Sequence, residues 1–181
     1  MSRYDLAMQR SRTILIVASL AICGCTKPEV KKIDWTTRSV ATVSDAVAGF
    51  RFKLALPHGM TRKLISPTRL RWESSQAPST DLWISVHVIE SAITEPAMDS
   101  VCQTPVLGDP PCSTTRQETL PNGFAITGQR ADRIDAAVFR VRGNKTLACH
   151  AIRSAGSSNV LGRIDAERAY AEKVCDSLTT Q

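Results

Sequence analysis

Several short runs in this chain place apolar residues at every second position, and that alternation constrains the fold more than anything else in the sequence. Phe50, Phe52, Leu54 and Leu56 alternate with Arg51, Lys53 and Ala55, and Pro57-His58-Gly59 closes the run as a turn. Successive side chains on a strand point to opposite faces, so the pattern predicts a strand with one face in a core and the other in water. Leu70 and Trp72 alternate with Arg69, Arg71 and Glu73 in a shorter run. Leu82, Ile84, Val86 and Val88 make one apolar face of 81–90, while Trp83, Ser85, His87 and Ile89 line the other. That second face is half apolar, which predicts a central strand covered in part on both sides. Pro121-Asn122-Gly123 introduces the run Phe124–Thr127, and Val138–Arg142 and Thr146–Arg153 flank Gly143-Asn144-Lys145 as a hairpin with a three-residue turn.

Two helices are expected. Thr94-Glu95-Pro96 offers a cap and an early proline for a short helix over Ala97–Cys102. The stronger one is Asp165–Leu178, with Asp165 as cap and Ala171, Val174, Cys175 and Leu178 on one stripe. About six strands, mostly antiparallel, with this C-terminal helix packed on one face, make an α+β domain. Length and composition agree: 181 residues, 43% hydrophobic and 22% charged, suit one globular domain rather than a disordered or repetitive chain.

The N-terminus reads as an address. A basic region with Arg3, Arg10 and Arg12 precedes the apolar run Ile14 to Ile22, and small residues follow it. Nine helical residues rise only about 14 Å, half of the ~30 Å of a bilayer core, so the run is a signal and not a span. A start at Met8 would drop Asp5 and leave a more usual signal. The run ends in Ile22-Cys23-Gly24-Cys25, which resembles the lipobox of bacterial lipoproteins. The resemblance implies diacylglyceryl transfer to Cys25, cleavage before it, and a membrane attachment made by lipid. Thr26 follows the cysteine where Asp would signal inner-membrane retention, so the implied location is the outer membrane, facing the periplasm. The expected organisation is a signal over 1–24, the lipidated cysteine and a short tether over 25–35, and one periplasmic α+β domain over 36–181. Cleavage removes three arginines and one aspartate from 23 basic and 17 acidic residues, which leaves 20 and 16 and a net +4 rather than +6.

With Cys23 discarded and Cys25 lipidated, Cys102, Cys112, Cys149 and Cys175 remain, and four cysteines allow three connectivities. Cys102 and Cys112 bracket a Pro-rich loop. Cys149 shares a strand face with Leu147 and Ala151, and Cys175 lies on the apolar stripe of the last helix. Core-facing positions on strand and helix can meet, so the favoured pairs are Cys102–Cys112 and Cys149–Cys175, both structural staples of an oxidising compartment. Gly49–Met60, the strand-rich middle and the final helix are similar to PsbP-like domains, a likeness that bears on fold alone.

Chemistry is harder to read. His58 lies in a turn, His87 on a strand face beside Trp83, and His150 opposite Cys149. No C-x-x-C, H-E-x-x-H, G-x-S-x-G or Gly-rich phosphate loop accompanies them, so no metal, cofactor or catalytic residue is assigned. The patterned feature is charge: Arg51 and Lys53, Arg69 and Arg71, and Arg140 and Arg142 lie opposite the apolar residues of their own runs. If those strands were neighbours, one sheet face would carry six cations able to grip an acidic envelope protein or polymer. No aromatic residues interleave them as a nucleic-acid surface requires. The expected role is therefore a non-enzymatic binding or protective module. In layout it resembles the lipoproteins that neutralise periplasm-directed toxins. A structural subunit of an envelope assembly, or a hydrolase with an unfamiliar site, are the alternatives.

Overall fold

The structure is a computed structural model that describes residues 34–74, 82–95, 101, 111–131, 133–154 and 161–181. The alternating runs form strands as expected, all paired antiparallel, in two sheets. Strands β1 (Val40–Val47), β2 (Phe50–Pro57) and β10 (Thr179–Thr180) make a small sheet in the order β1-β2-β10. Strands β3 (Met60–Ser66), β4 (Arg69–Ser74), β5 (Leu82–Ile89), β6 (Ser113–Leu120), β7 (Gly123–Arg130), β8 (Arg133–Arg142) and β9 (Lys145–Ser154) make a large one. Its order is β3-β4-β5-β9-β8-β7-β6. One helix, α1 (Leu161–Asp176), packs on β8 and β9. The α+β class with a C-terminal helix thus holds, with more strands than about six. The additional ones, β1, β3, β6 and the two-residue β10, are edges whose side chains are largely exposed, so they lack the apolar alternation that marks a strand in sequence.

The core lies between one face of the large sheet and the layer made by α1 and β2. Leu70, Trp72, Ile84, Val86, Val138, Leu147 and Ala151 meet Phe52, Leu54, Ala171, Val174 and Leu178 there. Phe52 and Trp72 pack edge to face at 6.3 Å. Trp35, assigned from sequence to the tether, belongs to this core: it sits in a 3-10 turn (Trp35–Thr37) capped by Asp34 and is 1% exposed. The folded body therefore begins before residue 36. The helix also begins earlier than expected. Asp165 is not its cap; it lies a turn inside and pairs with Arg168, because the buried stripe extends back through Glu167 to Ile164. The helix expected over Ala97–Cys102 falls almost wholly outside the described residues. Among the described residues no helix is long and apolar enough to cross a membrane.

Two connections depart from the sequence reading or depend on one residue. Arg142 pairs with Lys145, so the β8–β9 hairpin turns on Gly143-Asn144 alone, two residues rather than three. At Gly123 φ is +147°, and a Cβ there would lie 1.8 Å from the Phe139 carbonyl oxygen. Gly123→Ala must strain the backbone or push β7 off β8, and it is expected to lower stability by at least about 1–3 kcal/mol. Urea unfolding of the variant checks this; an unchanged midpoint would contradict it.

Cys149 and Cys175 are bonded, with 5.5 Å between their Cα atoms. Cys149 points from β9 toward α1, and both cysteines are fully buried, as the strand-face and helix-stripe positions implied. Cys112 is also disulfide-bonded; Cys102 lies outside the described residues. Cys25, the lipidation candidate, lies outside them too.

Candidate functional site

The face of the large sheet turned away from α1 carries the candidate site. Pairing fixes its layout. Arg69 of β4 lies beside His87 of β5, and His87 beside Ala148 of β9; one step along, Arg71, Ser85, His150 and Ala137 form the next row across the same strands and β8. A third row runs Glu73, Trp83, Ile152, Asp135. Ser85, Ala137 and Ala148 are small, and larger side chains stand around them. The result is a hollow of about 320 Å³ lined by Arg69, Trp83, His87, Arg133, Asp135 and His150 and closed by apolar residues. Toward the other end of this face, Val101 packs on Phe139 and Ala148, with Ile93 against the same cluster. The backbone N–H of Ile93 donates to Thr146 Oγ1 and the Thr146 hydroxyl donates to the Ser91 carbonyl, which holds that connection on the sheet.

The two histidines stack with ring centres 5.3 Å apart, and Phe139 meets His150 edge-on. His150 Nδ1 lies 3.4 Å from Asp135 Oδ1. His87 Nδ1 and Ser85 Oγ are buried and have no hydrogen-bond partner among the described residues. Among the described residues Ser85 is therefore not bonded to either imidazole. Burial, reinforced by His150 and then Arg69, pushes the His87 imidazole down from 6.5 to about 4.

Between pH 6.5 and pH 4 the unfolded chain takes up a proton that the fold refuses, so this contribution is complete above 6.5 and is lost as pH falls to 4. The loss attributable to His87 is on the order of 3 kcal/mol. His87→Gln is expected to flatten the fall in stability over that window, measured by urea unfolding at pH 7 and pH 4.5. Equal falls in variant and wild type would contradict it.

The six cations singled out from sequence do not share one face. Arg51 and Lys53 are exposed on β2, in the other sheet. Arg69 and Arg71 lie on the hollow's face, where the Arg71 guanidinium covers the Trp83 ring at 4.6 Å and its Nε lies 3.5 Å from Glu73. Arg140 and Arg142 lie on the opposite face, the side of Val138 and Cys149. Arg140 donates to the Leu178 carbonyl at 3.3 Å and Arg142 to the Gln181 carbonyl at 2.7 Å, so both hold the C-terminal segment. The single basic face is thus corrected to three separate pairs, because β5 and β9 stand between β4 and β8. His58 is exposed in the β2–β3 turn. No cluster of metal-ligating side chains occurs among the described residues. The sequence reading placed His87 beside Trp83 correctly but missed its stacking on His150, which needs the β5–β9 register.

No protein-family model matches the sequence, and no curated protein matches it. Solved structures show what the fold is similar to. The Saccharomyces cerevisiae Ran-binding protein Mog1p superposes with a TM-score of 0.57 at 8% identity, over 78% of this chain and 96% of that one. A Mog1 mutant gives 0.58 at 8% identity, over 78% and 95%. The cyanobacterial PsbP (CyanoP) of Synechocystis gives 0.55 at 16% identity, over 80% and 94%. At such identities the likeness is one of fold, and it agrees with the PsbP-like reading of the globular part.

Proposed function

We propose that this protein is a bacterial envelope lipoprotein, held by lipid on Cys25 at the outer membrane and facing the periplasm, whose domain works by binding a partner rather than by turnover. The favoured role is an accessory or protective module that engages an acidic envelope partner. The observation that carries this reading is the hollow on the large sheet. It is built on paired strands, which hold side chains more firmly than loops do, and it presents the guanidinium groups of Arg69 and Arg133 beside an aromatic wall. Guanidinium on a rigid frame suits carboxylate or phosphate groups. Mog1p, of similar fold, is a Ran-binding protein; a partner-binding use of this architecture supports the same reading here.

The test is capture from envelope extract by the full lipidated chain, against Arg69→Glu/Arg133→Glu and, as a control away from the hollow, Arg51→Glu. One acidic partner, bound in a salt-dependent manner and lost only in the double variant, is the expected outcome. Loss in the Arg51 variant alone would move the surface to β2. Recovery of several membrane components would favour a structural subunit of an assembly.

A further inference from the structure

The hollow has the properties of a small-molecule site, which deepens the reading above and rests on it. Its volume of about 320 Å³ is at the lower end for ligand sites and suits one compact acidic group, free or carried by a partner. Its charges are unevenly neutralised. Arg62, Lys63, Arg71, Arg116 and Lys145 all pair with carboxylates. No carboxylate among the described residues pairs with Arg69 or Arg133, and Arg133 Nε is buried without a partner there. A further polar atom without a hydrogen-bond partner among the described residues, His87 Nδ1, belongs to a residue that lines the hollow. A buried polar atom left unbonded is destabilising, and a ligand oxygen would relieve it. Trp83 and Ile152 supply an apolar wall between the two guanidinium groups. Asp135, beside His150, disfavours negative charge on its part of the floor and so directs an acid group toward the Arg69 corner.

We propose that this hollow binds a small organic anion, its carboxylate or phosphate seated on the Arg69 guanidinium and beside His87, and its apolar body against Trp83 and Ile152. Charge selects the acid end and the aromatic wall selects the body, so neither a bare inorganic anion nor a neutral ring satisfies both.

Titration calorimetry of the full chain in non-ionic detergent, with benzoate, phenyl phosphate, inorganic phosphate and benzyl alcohol as probes, tests this. Saturable one-to-one binding is expected for benzoate or phenyl phosphate, weakened at least tenfold in Arg69→Ala and in Trp83→Leu and unchanged in Arg51→Ala. The tighter of the two arenes assigns the acid as carboxylate or phosphate. Thermal midpoints near wild type show that the variants fold, and exposed Arg69 keeps the test open if Trp83→Leu does not. Absence of saturable binding, binding untouched by Arg69→Ala, or inorganic phosphate binding as tightly as phenyl phosphate would overturn the proposal. Partner capture through the hollow with no binding of these probes would sink this inference while leaving the partner-binding reading intact.

Discussion

Glu167→Ala is expected to lower stability by about 3–5 kcal/mol, the largest loss from any single substitution considered for this domain. Glu167 on α1 and Arg153 on β9 are each 1% exposed in their side chains and form a two-pronged pair, Nε to Oε2 at 2.6 Å and Nη2 to Oε1 at 3.0 Å. Arg163 approaches the same carboxylate from one turn earlier at 3.6 Å. Truncating Glu167 takes the two-pronged carboxylate from a buried guanidinium, and the cost is mainly that of a buried cation left with less compensation rather than of the lost contact. The urea midpoint should fall with little change in slope, and the melting temperature by on the order of 10 °C. Replacing both partners, as Arg153→Met with Glu167→Leu, should recover most of the loss because neither charge of the pair is then left inside. A loss below about 1 kcal/mol for Glu167→Ala would contradict this, and would mean that water or another group compensates Arg153.

The second large effect belongs to the Cys149–Cys175 bridge. It joins β9 to the end of α1 across a separation of 26 residues. Closing a loop of that length in the unfolded chain corresponds to about 3.5 kcal/mol on the chain-entropy model. Cys149→Ala/Cys175→Ala should lose about that much, and reductant should bring the wild type at least as low, because it opens the Cys112 bridge as well. Both sulfurs are fully buried, so serine in place of alanine should cost more through a buried hydroxyl. Insensitivity of the wild type to reductant, with the thiols shown free by mass, would contradict the assignment.

The sequence made some of this legible, for identifiable reasons. β2, β4 and β5 could be read because one face of each meets the core while the other holds Arg, Lys or His. The last helix could be read from its stripe, though Asp165 drew the start inward by four residues, since an aspartate ahead of an apolar stripe looks like a cap whether or not the helix has already begun. β6, with sequence STTRQETL, could not be read; an edge strand needs no apolar alternation. β8 misled in the opposite way. It is buried on both faces from Ile134 to Phe139, so alternation does not say which face meets the core, and Arg140 and Arg142, opposite Phe139 and Val141, lie on the side of Val138 and Cys149. The hollow was hidden for a related reason. Its residues come from four strands, and only the β4–β5–β9–β8 order brings Arg69, His87, His150 and Asp135 together. Strand order is a product of long-range pairing, which local pattern does not carry.

Everything proposed about where this domain works depends on Cys25. The most direct measurement is the intact mass and N-terminal peptide of the protein recovered from the bacterial envelope. The expected result is a chain that begins at Cys25, carries a diacylglyceryl group on its sulfur and an acyl group on its amino terminus. A chain that retains residues before Cys25, or that carries Cys25 as an unmodified thiol, would contradict the lipoprotein reading and with it the outer-membrane address.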